Sequence, residues 1–140
     1  MADTVTSQTI VDTPQKLVMK FTNTSDGTGE SAVTKVDVSS FTAGEGGPHS
    51  DTSAATCTEV RIDKVWARCN GMSVSVLWDA TSDVEAIYLA DGGPEHWDFS
   101  SFGGLVNNAG SGKTGDIKFT TVGHANTETY WIVLEMTKLA

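Results

Sequence analysis

A short segment late in the chain, Gly112-Lys113-Thr114, has the residue types of a phosphate-binding loop. Such a loop needs another glycine five positions before Gly112. It also needs a following helix whose N-terminus holds the phosphate. Here that earlier position is Asn107, and residues 117–119 alternate like a strand. The segment is therefore predicted to be a turn that binds no nucleotide.

Glu95-His96-Trp97-Asp98 places two acids, an imidazole and an indole together. In a strand, His96 and Asp98 would lie on the same face, where they could act as a general acid/base pair. An ordinary edge strand can have the same residues. No serine or cysteine lies in a recognisable nucleophile elbow, and no carboxylate pair indicates glycoside hydrolysis. We therefore predict that the protein is not an enzyme and has no catalytic residue.

Three histidines and three turn aspartates are the remaining candidates for metal ligands. The histidines are far apart and have no cysteine partner at ligand spacing. The aspartates lack the dense oxygen spacing of a calcium loop and are typical of turn capping. No metal and no cofactor are predicted. These residues are His49, His96, His124, Asp79, Asp83 and Asp91.

The four tryptophans could form a flat platform on which sugar rings stack. Trp66, Trp78 and Trp131 stand among apolar neighbours in strand-like segments, and core packing is predicted for them. Trp97 stands beside a Gly-Gly-Pro turn. It is the one tryptophan predicted to lie at the surface and contact a partner.

Composition excludes two classes of partner. The net charge is −9, with nine lysines and arginines in total, and no basic cluster is present to neutralise nucleic-acid phosphates. The same charge disfavours an anionic membrane surface. No apolar segment is long enough to span a bilayer, and residues 1–13 lack the regions of a signal peptide. We expect synthesis in a cytoplasm, with no nucleic-acid or membrane partner.

The two cysteines, Cys57 and Cys69, bracket one predicted strand. Twelve extended residues span on the order of 40 Å at about 3.3 Å per residue, which is beyond disulfide reach. Reduced thiols are therefore predicted within one chain. An intermolecular disulfide between copies remains open.

Most of the chain consists of short alternating segments separated by turn residues. Leu17, Met19 and Phe21 alternate with polar residues, and the alternation slips at Asp63-Lys64, which predicts a bulge. No 3.6-residue period occurs. The pattern predicts an all-β, single-domain antiparallel β-sandwich, jelly-roll-like, with about eight strands and no helix longer than about two turns.

Three turn signals each lie between two predicted strands and predict hairpins. Asn70-Gly71 is the strongest of them. The others are the turns at residues 25–29 and 123–128, and residues 79–83 are predicted to form a turn. Two glycine-rich segments, 41–56 and 102–115, are predicted to be loops.

Residues 1–13 are polar and threonine-rich, without a period. We interpret them as an extended N-terminal arm that precedes a β-sandwich domain of residues 14–140. The arm's aliphatic residues Val5, Ile10 and Val11 are too few to fold alone, but they could anchor in shallow pockets of a partner. We expect the arm to be mobile in the isolated domain and ordered on its partner.

Three stretches together resemble a family of small virion structural proteins of tailed bacteriophages. The resemblance covers most of residues 9–138, and the order and spacing of the stretches are more specific than any single one. The stretches are residues 16–39 (KLVMKFTNTSDGTGESAVTKVDVS), 60–80 (VRIDKVWARCNGMSVSVLWDA) and 102–123 (FGGLVNNAGSGKTGDIKFTTVG).

The resemblance implies a non-enzymatic virion component made in a bacterial cytoplasm. Its expected role is that of an accessory head protein that decorates or cements the capsid. The expected partners are the major capsid protein and sister subunits, with which the chain would form a homotrimer. Two alternatives stay open. One is a tail or neck adaptor or fibre component, and the other is a host-glycan-binding module that uses Trp97 and the loop at 44–48.

Overall fold

The computed structural model describes residues 3–13, 15–44, 54–123 and 125–139. Strands account for more than half of them, and the helical structure consists of two single 3-10 turns, η1 (Val38–Ser40) and η2 (Ser100–Phe102), as predicted. The strands are β1 (Thr4–Asp12), β2 (Lys16–Thr24), β3 (Val33–Val36), β4 (Thr42–Gly44), β5 (Ala54–Thr56), β6 (Glu59–Asn70), β7 (Ser73–Trp78), β8 (Val84–Leu89), β9 (Gly92–Asp98), β10 (Ile117–Val122) and β11 (Thr129–Leu139).

Nine of the described strands form two antiparallel sheets that pack face to face. The five-stranded sheet has the order β1-β2-β11-β6-β9, and the four-stranded sheet has the order β3-β10-β7-β8. From β2 onward this is the strand order of a jelly roll. The predicted jelly-roll-like sandwich is confirmed. The remaining pair, β4 and β5, forms a separate two-stranded ribbon.

The core lies between the sheets and follows from the alternation within each strand. In β2, Leu17, Met19 and Phe21 are buried. The Phe21 ring meets Phe119 of the opposite sheet edge to face, with ring centroids 5.1 Å apart, and Phe119 meets Tyr130 at 5.8 Å. These aromatic contacts join β2 and β11 to β10 and so hold the sheets together.

Strand β6 contains the predicted bulge, since its register with β11 shifts at Asp63. The Asp63 carboxylate is buried and accepts hydrogen bonds from Lys16 Nζ at 2.9 Å, Arg61 Nε at 3.1 Å and Thr137 Oγ1 at 2.5 Å. Burial raises the pKa of Asp63, but these hydrogen bonds and cations outweigh it and hold the pKa below its ordinary value. The bulge residue therefore stays ionised and ties three strands together.

The three predicted hairpins are wrong, because their turns carry the chain from one sheet to the other. Asn70-Gly71 connects β6 to β7 in this way, with Gly71 at a φ of +86° that favours glycine. The turns at 25–29 and 123–128 also cross between the sheets. The turn at 79–83 does join neighbours, β7 and β8. Turn chemistry predicts where a strand ends, but it does not predict which sheet receives the next strand.

Strand β1 is the largest departure from the sequence-based expectation. The arm is extended, but it pairs antiparallel with β2 from Thr4 to Asp12, with a bulge between Thr9 and Val11. Residues 1–13 are therefore not separate from a sandwich that begins at residue 14, and the pairing argues against a mobile arm. Pro14, at the predicted boundary, lies outside the described residues.

Candidate functional site

The five-stranded sheet ends in β1 on one side, and none of the described strands pairs with the outer edge of β1. All nine of its residues are exposed, because the opposing sheet does not extend far enough to cover it. Val5, Ile10 and Val11, the aliphatic residues predicted to contact a partner, are among them. Alternate N–H and C=O groups of such an edge point away from the neighbouring strand. The edge can therefore receive a further strand.

Two carboxylates hold β1 at its two ends. Asp3 accepts hydrogen bonds from Asn23 Nδ2 at 3.0 Å and from the backbone N–H of Asp26 at 3.1 Å. Burial raises the pKa of Asp3, but these hydrogen bonds outweigh it and hold the pKa below its ordinary value. At the other end, Asp12 forms an ion pair with Lys138, whose ammonium is buried. The edge strand is therefore fixed in place.

The Asp3 contact continues into a buried polar network at the same end of the sandwich. Asn23 Nδ2 also donates to Glu30 Oε1 at 3.0 Å, and Tyr130 Oη donates to that oxygen at 2.6 Å. The other Glu30 oxygen pairs with Lys35, and both side chains are buried. Burial and the Glu30 carboxylate raise the pKa of Tyr130 far above its ordinary value, so the phenol remains a donor. Sequence reasoning missed this network, because its members are far apart in the chain.

The opposite edge of the sheet, β9, is built differently. It begins with Gly92-Gly93-Pro94, where the proline has no N–H and the register with β6 shifts. Trp97 is 47% exposed, as predicted for a surface residue, and it lines an apolar cavity of about 240 Å³. The other residues that line this cavity are Ala86, Ile87, Phe99 and Leu105.

A second, larger groove lies on the outer face of the same sheet, where β11, β6 and β9 meet. Its volume is about 410 Å³. The Trp66 indole stacks on the His96 imidazole with ring centroids 5.2 Å apart and planes 7° from parallel. Trp131, from β11, is 44% exposed and stands opposite Arg68 of β6 in register. The lining residues are Trp66, Ala67, Arg68, Pro94, Glu95, His96 and Trp131.

The groove corrects the prediction for two tryptophans. Trp78 is buried in the core, but Trp131 is exposed and Trp66 is half-buried on the outer face. In β11 the inward side chains are large and apolar, and the outward Trp131 and Val133 are apolar as well. A strand that is apolar on both faces resembles a fully buried strand. A usable sequence signal existed for Trp66, which shares its face of β6 with Lys64 and Arg68.

The acid–imidazole segment of β9 does not form a general acid/base pair. Asp98 is fully exposed and accepts hydrogen bonds from the Ser100 backbone N–H at 2.9 Å and from its hydroxyl at 2.5 Å. These bonds hold the pKa of Asp98 below its ordinary value. His96 is stacked on Trp66, on the outer face. The Asp98 carboxylate therefore fixes the start of η2.

The glycine–lysine–threonine segment is a turn, as predicted. Thr114 Oγ1 donates to Asp79 Oδ2 at 2.6 Å, Lys113 Nζ lies 3.4 Å from Glu59 Oε1, and strand β10 follows. A phosphate loop needs a helix N-terminus at this point. The Lys113 and Thr114 side chains instead contact acidic residues of this protein, Glu59 in β6 and Asp79 just after β7.

The predicted turn-capping role fits the contacts of Asp83 and Asp91 but not those of Asp79. Asp83 Oδ1 accepts the Ala80 N–H at 3.1 Å and Asp91 Oδ1 accepts the Gly71 N–H at 2.8 Å. Asp79 instead forms an ion pair with the Lys118 ammonium at 2.7 Å. Within the described part of the chain, no group of three or more histidine, cysteine or acidic side chains could hold a metal ion. His49, His124 and most of the loop at 44–48 lie outside the described residues.

Both cysteines are free thiols in the core, with 1% of Cys57 and 2% of Cys69 exposed. The predicted absence of an internal disulfide agrees with this. Burial raises the pKa of Cys57, and burial together with Glu95 and Asp91 raises that of Cys69 to about 12. A disulfide between copies would require each thiol to leave the core as a reactive thiolate. The structure therefore argues against the intermolecular bridge.

In comparisons with known proteins, no family model and no curated protein matches this chain. Over the described residues, no helix has the length and apolar character needed to cross a membrane.

Proposed function

We propose that this chain is a structural component of a tailed-bacteriophage virion, an accessory head protein that decorates or cements the capsid. The resemblance of residues 16–39, 60–80 and 102–123 to small virion proteins supports the proposal. The jelly roll is compatible with it, since this architecture occurs in viral capsid domains, but it also occurs in lectins. The fold alone therefore does not decide the function.

The edge strand β1 carries the proposal. Natural proteins usually protect a long exposed edge with lysine, proline or inward-pointing charge. The sequence of β1, TVTSQTIVD, contains none of these before Asp12 at its end. Such an edge suits a partner strand that completes the backbone hydrogen bonds. We infer that a segment of the capsid protein, or of a sister subunit in a homotrimer, occupies this edge and contacts Val5, Ile10 and Val11.

The direct test is the copy number of the protein in purified virions of the phage that encodes it. A decoration protein is present at many copies, in a fixed ratio to the major capsid protein, and labelled antibody binds all over the head. A tail or neck adaptor, the alternative virion role, is present as one ring at a single position. Absence from purified particles would contradict both roles.

A second experiment tests the β1 edge itself with empty capsid shells that lack the protein. The double variant Val5→Thr, Val11→Thr should bind shells several-fold more weakly, since two aliphatic contacts are lost. Val122→Thr, on the opposite sheet, is the matched control because Val122 and Val5 are both 44% exposed. Equal shell binding by the double variant and the wild type would show that β1 is not the attachment surface.

A further inference from the structure

The outer groove is unusual for a sheet face that meets solvent. The outer face of an antiparallel sheet is usually polar, because solvent covers it. Here two indoles and a proline line one concave surface, and no described element covers it. Exposed aromatic surface of this kind usually marks a binding site. At about 410 Å³, the groove lies within the range of small-ligand sites.

The charged groups around the groove add a second observation. Among the described residues, seven of the nine lysines and arginines form ion pairs with carboxylates, and Lys20 and Arg68 do not. Arg68 lines the groove, and Lys20 lies in the same cross-strand row as Val133 and Trp66. The two cations without an ion-pair partner therefore stand at this one face.

From these two observations, we propose that the groove binds a saccharide. The ring of a pyranose would lie against the Trp131 indole, and its oxygens would accept hydrogen bonds from the Arg68 guanidinium. This proposal does not rest on the virion role or on the β1 edge, so either can fail without the other.

The chemistry of the lining matches this class of ligand. The electron-rich face of an indole attracts the partly positive C–H hydrogens on the flat face of a sugar ring. The planar guanidinium of Arg68 presents several donors in a fixed arrangement that suits adjacent oxygen acceptors. The His96 imidazole lies on the other side of the groove and provides donor and acceptor capacity for further hydroxyls.

The stacking of Trp66 on His96 gives these two rings a positioning role. The imidazole covers one face of the Trp66 indole, and the pair forms one wall of the groove. Trp131 and Arg68, opposite each other in register, form the other side. Trp131 is therefore the ring most available to a ligand, and Trp66 shapes the site.

The test measures binding of oligosaccharides by the purified full chain, using tryptophan fluorescence and calorimetry. The panel contains neutral glucose-, galactose- and mannose-based oligosaccharides, the carboxylated fragments of polygalacturonate, and a proline-rich peptide. We expect at least one saccharide to bind. The neutral and carboxylated members distinguish whether Arg68 recognises hydroxyls or a carboxylate.

The matched variants are Trp131→Ala and Trp97→Ala, which remove equally exposed indoles on different surfaces. Trp131→Ala should weaken saccharide binding about fivefold, since an aromatic stacking contact contributes on the order of 1 kcal/mol. Arg68→Ala should weaken it as well, whereas Trp97→Ala should not. Circular dichroism checks that each variant is folded.

Four outcomes would overturn the proposal. They are no binding of any panel saccharide to the wild type, unchanged binding by Trp131→Ala, equal loss in Trp97→Ala, and binding of the proline-rich peptide alone. The last outcome would assign the groove to a peptide.

Discussion

The two edges of the five-stranded sheet present different kinds of surface. On β1 the backbone is free, the side chains are small or aliphatic, and carboxylates fix the two ends. On β9 the Gly92-Gly93-Pro94 segment interrupts the backbone edge, and aromatic side chains line cavities beside it. Exposure alone therefore does not identify a partner. A free backbone edge suits a strand, and concave aromatic surfaces suit a small ligand or a side chain.

The largest expected effect follows removal of β1. Deleting residues 1–13 should lower the free energy of unfolding by on the order of 3 kcal/mol, because several ladder hydrogen bonds worth about 1 kcal/mol each are lost. Urea unfolding measures the change. An unchanged midpoint would show that the segment is a loose arm, as the sequence suggested, and would remove the contrast between the two edges.

Proline substitutions separate the two sides of β1. N–H groups alternate along an edge strand, so of Ser7 and Gln8 one points toward β2 and the other toward solvent. Of Ser7→Pro and Gln8→Pro, we expect one to destabilise the fold by about 3 kcal/mol and the other to cost much less. The milder variant should bind empty shells poorly. If it binds shells as well as the wild type, strand addition at β1 is contradicted.

Acid should affect the two edges unequally. The folded-state pKa values of Asp3 and Asp98 both lie below the ordinary value of 3.8, so each contributes stability that is present above that value. This stabilising contribution is lost as the pH falls through the folded-state pKa.

Protonating Asp3 should shift amide signals in both β1 and residues 25–29, whereas protonating Asp98 should affect its own turn alone. An NMR pH titration, with Asp3→Ala as the control, would show the difference. Shifts confined to residues 2–4 would show that Asp3 does not hold β1 against residues 25–29.

A smaller effect concerns the buried thiols. Cys57 and Cys69 should react with a thiol reagent no faster than the protein unfolds, since both are buried and their pKa values are raised. The rate is measured by absorbance in the native protein and in urea. Rapid labelling of the native protein, or multimers on a non-reducing gel, would restore the intermolecular disulfide that the structure argues against.

The sequence predicts the local features of this fold and misses several long-range ones. Alternation in β2, the bulge at Asp63 and the exposed Trp97 follow from residue parity and turn chemistry alone. The sheet that receives each strand depends on pairings between distant segments, as in the crossing at Asn70-Gly71. The pairing of β1 could not be predicted, because its residues are exposed on both faces and show no alternation.

The candidate sites were also predicted only in part. Val5, Ile10 and Val11 were predicted as contact residues and lie on the free edge, but the groove was missed. Trp131 belongs to a strand that carries apolar residues on both faces, so sequence alone could not distinguish its outward indole from a core indole. The outward position of Trp66 could have been predicted, because Trp66 shares its face of β6 with Lys64 and Arg68.

The attachment of β1 to a shell is tested most directly by hydrogen exchange of the β1 amides in the free protein and in the shell-bound protein. In the free protein, we expect the amides that pair with β2 to be protected and the alternate amides, which point to solvent, to exchange fast. On the shell, the fast set should become protected, while the amides of β9 keep their rates. If binding to the shell leaves the fast set of β1 unchanged, the partner does not add a strand at this edge, and the account is contradicted.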